Sequence, residues 1–137
     1  MARILCFDYG EKRTGIAVTD EFQIIASGLT TVDTKSIFSF LQNYLKTENV
    51  GLFVVGKPMQ MNYTESDSEQ LIAPFLISLQ KTFPKIPIVR IDERFTSKMA
   101  VQSMIQTGLS KKHRRNKALV DEISATIILQ TYLSQQE

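Results

Sequence analysis

The chain is poor in the residues from which many small reactive sites are built. Its 137 residues include one cysteine, Cys6, and one histidine, His113. A single cysteine excludes an internal disulfide and a cysteine-based zinc site. Cys6 lies inside an apolar, strand-like run and reads as a small core residue; a catalytic thiol there would have only His113 to turn to. No apolar run approaches the ~20 residues needed to cross a bilayer. The opening MARILCFDYG has one arginine and a short apolar run that ends in Asp and Gly. It lacks the longer apolar stretch and small-residue cleavage site of a secretory signal. The expectation is a soluble, cytoplasmic protein with no membrane partner. Repeats, low-complexity tracts and linkers are also missing, so residues 1–137 read as one domain.

What is present is an ordinary core composition, 43% hydrophobic and 22% charged, enough for a single buried core. The charge is unevenly spread. The net value is +2, yet five of the 16 Lys/Arg fall in the acid-free segment KKHRRNK at 111–117. The other 11 basic residues face 14 acidic ones, a balance of −3. An acidic body with one basic segment suggests two tasks, holding cations and contacting an anionic polymer. The plain alternative for KKHRRNK is a solvated loop, with His113 exposed and neutral.

Hydrophobic spacing orders the chain. ARILCFDYG reads as a buried strand ending at Asp8, GIAVTD as a second strand, and FQIIASGL as a third. The short link between the last two predicts an antiparallel hairpin. Residues 34–46 place Ile37, Phe38, Leu41 and Leu45 at helical spacing. VGLFVVG reads as a central parallel strand stopped by Pro58. Residues 57–68 are polar and aperiodic. A helix is expected over 69–83, with Pro74 forcing a kink or a later start. IPIVRID is a further strand. Thr96 caps an expected helix to about Gln106, with Gly108 as terminator, and Asn116 caps the last, ALVDEISATIILQTYL. A hairpin followed by β-α-β units predicts an α/β fold with a mixed five-stranded sheet, its first three strands antiparallel, and helices on both faces.

Three apolar strands end in chemistry-bearing residues: Asp8-Tyr9-Gly10, Gly56-Lys57-Pro58 and Asp92-Glu93-Arg94. If they are parallel, those ends share the edge where open α/β sheets bind ligands. Asp8 would then lie near one of Asp92 and Glu93. These two point to opposite sides of a continuing strand, so one at most is a direct ligand. Gathered carboxylates repel, and a hard divalent cation removes the conflict. Asp121 is the candidate third ligand, on a helix face shared with Ser124, Ala125 and Ile128. By spacing alone, Asp121 reads first as a surface residue paired with Lys117 four positions earlier. Asp8 likewise equally reads as the start of an ordinary turn. Lys12, Arg13, Arg94 and the basic residues Lys111, Lys112, Arg114 and Arg115 are candidate phosphate contacts.

FDYGEKRTGIAVTD at 7–20, VVGKP at 54–58, IDERFTSKMA at 91–100 and KALVDEISATIILQTYL at 117–133 together resemble the YqgF/RuvX family. That family is described as Holliday junction resolvases and as nucleases for the 5′ end of pre-16S rRNA. The motifs fall in order over most of the chain. The resemblance implies an RNase H-like fold and endonuclease chemistry dependent on Mg²⁺ or Mn²⁺. It places the acidic site on Asp8, Glu93 and Asp121, and its motifs also match Lys12, Arg13, Arg94, Thr96 and Ser97. The implied partner is nucleic acid, precursor rRNA or branched DNA, bound by a monomer or homodimer. One departure stands out: MQMNYTESDS follows the VVGKP element, where members of the family often carry glycines.

Two other functions compete. A non-catalytic RNA-binding factor of ribosome maturation would bind through KKHRRNK with strong salt dependence. A phosphotransferase fragment is suggested by DYGEKRTGIAV, which looks like the phosphate-binding hairpin of sugar kinases and actin-like ATPases. Such proteins hold a nucleotide between two domains, and this chain reads as one.

Overall fold

Strand β1 (Arg3–Asp8) is the centre from which the architecture grows. The computed structural model of the chain describes residues 2–57, 67–92 and 117–136, with the side chains of 67–69 and 117–119 left aside. β1 pairs antiparallel with β2 (Arg13–Thr19), which pairs antiparallel with β3 (Ala26–Asp33). A 3₁₀ turn, Thr34–Ser36, leads into α1 (Ile37–Thr47). The chain returns as β4 (Val50–Lys57), parallel to β1 on its other side. Helix α2 (Asp67–Thr82) then crosses to β5 (Ile88–Asp92), parallel to β4. The last described helix is α3 (Lys117–Gln135). The sheet order is β3-β2-β1-β4-β5, the mixed five-stranded sheet expected from the hydrophobic pattern. The helix expected near 96–106, the Asn116 cap and the loop at 58–66 lie outside the described residues.

The strand alternation sorts the core onto two faces. Leu5, Phe7, Ile16, Phe53 and Val55 pack with Ile37 and Leu41 of α1 and Ile72, Phe75 and Leu79 of α2. Phe7 meets Phe53 and Phe75 edge-on, with ring centroids 5.6 and 5.9 Å apart. On the opposite face Ile4, Cys6, Ala17, Val54 and Ile91 pack with Ala125, Ile128 and Leu129 of α3. Cys6 is fully buried there, as its sequence setting implied. This second face carries small residues on the sheet, and small residues bring α3 close.

Two expectations need correction. The third strand begins at Ala26, whereas the apolar run suggested a start near Phe22. Residues 20–25 form a turn held by the Asp20 carboxylate. Oδ1 accepts the amides of Ile24 and Ile25, each at 2.8 Å, and Oδ2 accepts that of Phe22 at 3.1 Å. Gln23 takes a positive φ of 59°. Phe22, Ile24 and Ile25 are left exposed, so hydrophobicity here did not signal burial. Helix α2, secondly, begins at Asp67 and continues past Pro74, so the later start is not taken. Pro74 stands on the exposed side, where water can serve the carbonyl left without its N–H partner.

The Asp20 turn carries a pH signature. Amide hydrogen bonds from Ile25 and Ile24 hold this carboxyl below its usual value of 3.8. A carboxyl with a depressed folded-state pKa contributes stability above its unfolded value and loses it as pH falls through the folded one. The Ile24 and Ile25 amide resonances are therefore expected to hold steady on acidification until pH drops below the ordinary carboxylate range. In Asp20→Ala they should show no such transition, and an NMR titration checks both.

Candidate active site at the carboxyl edge of the sheet

Asp8 closes β1 at half burial, and its position fixes which face it serves. It pairs with Gly15 of β2. It alternates with Ile4 and Cys6, both packed against α3. Asp8 and the missing side chain of Gly15 therefore address the α3 face. The parallel pairing of Phe7 with Val55 puts Gly56 of β4 beside Asp8 on the other flank. A carboxylate at a strand end thus stands between two glycines.

Gly15 uses that space at once. A β-carbon on it would collide with the backbone carbonyl of Asp121 and lie 2.9 Å from the Glu122 nitrogen. The backbone of α3 reaches the sheet at Asp121, directly over the strand position paired with Asp8. Ser124 and Ala125, one turn on, are buried in the same contact. The strand end and the helix start, 113 positions apart in sequence, converge through an absent side chain.

The Asp121 carboxylate is held by Arg13. The guanidinium Nε donates to Oδ2 at 3.0 Å, in an ion pair whose side chains are 36% and 26% exposed. Arg13 lies two residues before Gly15 and so shares its face of β2. This partner is invisible to helix spacing, which offered only Lys117, a residue whose side chain is not described.

The loop from Tyr9 to Lys12 is anchored from behind. Thr34 Oγ1 donates to the Gly10 carbonyl at 2.5 Å, and the Thr34 amide donates to the Lys12 carbonyl at 3.0 Å. The buried Thr14 hydroxyl lies 3.0 Å from that of Thr34. Tyr9 stacks on Phe75 with centroids 4.7 Å apart. Lys12 is exposed at the loop's end, in a shallow depression with Glu11, Asp33 and Lys35. The Thr14–Thr34 pair had no sequence signal beyond Thr34 opening a helix.

Asp92 belongs elsewhere. It pairs with Lys57 and follows Ile91, whose side chain is in the α3-facing cluster. Asp92 consequently lies on the face opposite Asp8, exposed beside Lys57. β4 also separates β5 from β1, so a close approach of Asp92 to Asp8 is not seen. Glu93, Arg94, Lys111, Lys112, Arg114 and Arg115 lie outside the described residues. Among the described residues, no three His, Cys, Asp or Glu side chains gather at metal-binding distance, and no helix is long and apolar enough to cross a membrane.

A strand-first mixed sheet with a carboxylate at the end of its central strand, faced by the last helix, is the architecture of the RNase H-like proteins. Among solved structures the fold is similar to Thermus thermophilus RuvC. The complex titled "T. thermophilus RuvC in complex with Holliday junction substrate" aligns with a TM-score of 0.57 at 13% identity, covering 99% of this chain and 97% of that one. Sequence goes further. The family described as "RuvX: Holliday junction resolvase" matches residues 2–135, and the chain belongs to it. A relative from Christiangramia forsetii is 63% identical over 133 residues, 97% of this chain and 98% of its own length. One from Porphyromonas gingivalis is 53% identical over 137 residues, covering 100% and 99%. Both carry the name "Putative pre-16S rRNA nuclease".

Proposed function

We propose that the protein is a divalent-metal-dependent endonuclease of structured RNA, acting at the 5′ end of precursor 16S rRNA. The observation that carries the reading is the convergence of Asp8 and Asp121 at the carboxyl edge of the sheet, across Gly15. Two carboxylates on one partly exposed face supply the hard oxygen donors that Mg²⁺ or Mn²⁺ takes, so the residues present fit such an ion. Asp8 and Asp121 would hold it, with Glu93 as the third ligand. When bound, the ion supplies an activated water and charge stabilisation for phosphodiester hydrolysis.

The chain's own groups have separate tasks. Asp8 fixes negative charge at a rigid strand end, and Asp121 brings a second carboxylate from a helix whose position Gly15 determines. Lys12 stands on a loop pinned by Thr34 and meets the phosphate backbone. Arg13, Arg94, Lys111, Lys112, Arg114 and Arg115 extend that contact. Precursor rRNA is preferred as substrate because relatives similar along the whole chain bear that name, while the likeness to RuvC is one of fold. A four-way DNA junction is the second reading, favoured by the family's own description; symmetric cutting would require a homodimer.

A side-by-side cleavage assay tests the proposal. Precursor 16S 5′ ends, four-way junctions and plain duplexes are offered with Mg²⁺, Mn²⁺ or chelator. Cleavage of the precursor is expected with either metal and none with chelator. Cleavage that survives chelation would remove the metal site. Absence of cleavage on every substrate, with salt-sensitive RNA binding retained, would favour a non-catalytic maturation factor.

A further inference from the structure

The Arg13–Asp121 ion pair sets a conflict inside the proposed site. Asp121 Oδ2 already accepts from Arg13 Nε at 3.0 Å, and that oxygen cannot serve guanidinium and divalent cation equally well. A cation held through both oxygens of Asp121, or one that needs its full charge, requires the guanidinium to move. Movement is cheap. Both side chains are partly exposed, and exposed pairs of this kind hold each other weakly. A released guanidinium at this edge has a natural target, since its planar fork matches a phosphate bidentately.

We propose that Arg13 is a two-position side chain that couples metal binding to nucleic-acid binding. Without metal it neutralises Asp121. A divalent cation at Asp8 and Asp121 displaces it, and the freed guanidinium takes a backbone phosphate. The inference rests on the metal site proposed above. Metal then strengthens nucleic-acid binding and nucleic acid strengthens metal binding by the same factor, because such coupling is reciprocal.

Binding measurements test this without cleavage. In Mn²⁺ calorimetry, Arg13→Gln is expected to bind the ion severalfold more tightly than wild type, up to about fivefold for a pair of this exposure. In chelator, wild type and Arg13→Gln should bind a short RNA duplex alike, since Asp121 occupies Arg13. With Ca²⁺, only wild type should gain affinity. Asp121→Asn should bind the duplex more tightly than wild type in chelator, and Arg13→Gln added to it should abolish that gain. Equal Mn²⁺ affinity in folded wild type and Arg13→Gln would overturn the coupling and leave the metal site standing. No Mn²⁺ binding by either protein would remove the site itself. Should Arg13→Gln fail to fold, Arg13→Met, which keeps the aliphatic stem and removes the charge, carries the same comparison.

Discussion

Asp8→Asn is expected to fold as the wild type does and to lose nuclease activity by two to three orders of magnitude. The substitution preserves size and removes one charge. At a half-buried strand end an amide of the same size fills the same space, so the melting temperature should stay close to that of wild type. Activity should move the other way. A fixed charge aimed at the reacting centre typically contributes about 10²–10³ in rate, and a carboxylate that also holds an ion contributes at least as much. The measurements are a cleavage time course in Mn²⁺, a Mn²⁺ titration, and a thermal melt on the same preparation. A pure, folded Asp8→Asn that cleaves at the wild-type rate would refute the assignment. Loss of cleavage accompanied by a lower melting temperature would instead mark Asp8 as structural.

The sheet and the Asp8 position were legible because both follow from local rules. Apolar runs of strand length, one short link and two helical crossovers leave few ways to lay five strands. A charged residue at the end of a buried run must emerge at an edge. Asp121 was not legible in this way. Its neighbours in sequence describe a helix, and nothing in helical spacing distinguishes a surface carboxylate from one pressed onto a sheet. The deciding contacts, Arg13 and Gly15, lie more than 100 residues away; the small residues Ser124 and Ala125 made Asp121 a candidate, and the family resemblance favoured it over a surface pair with Lys117. Asp92 shows the opposite failure. Alternation puts Asp92 on one side or the other, but only the pairing of Ile91 with Gly56 and the packing of Ile91 against α3 reveal that its side is not Asp8's. Phe22, Ile24 and Ile25 misled because one carboxylate, Asp20, gathers three backbone amides into a turn.

Gly15→Ala should damage fold and site together, since of Gly10, Gly15, Gly28 and Gly51 it is Gly15 whose β-carbon would meet a neighbour most closely. In a strand, alanine is ordinarily an improvement on glycine, by roughly 0.5–1 kcal/mol of chain entropy. Here the new methyl meets the Asp121 carbonyl and the Glu122 nitrogen. Both are helix backbone and neither can rotate aside, so α3 must lift as a unit. Overpacking of this kind costs about 1–3 kcal/mol, which outweighs the entropic gain. Lifting α3 also carries Asp121 away from Asp8, so metal affinity and cleavage should fall further than the stability loss alone accounts for. Gly28 provides the control. A methyl there meets only side-chain atoms of Glu122, Oε1, Cγ and Cδ, which a rotamer change can move without shifting the α3 backbone. Gly28→Ala should therefore unfold within about 1 kcal/mol of wild type and retain cleavage. Urea denaturation and Mn²⁺ titration of the two variants decide the matter. If Gly15→Ala matches Gly28→Ala in both, α3 slides freely on the sheet. The close approach would then not be what sets the distance between the two carboxylates.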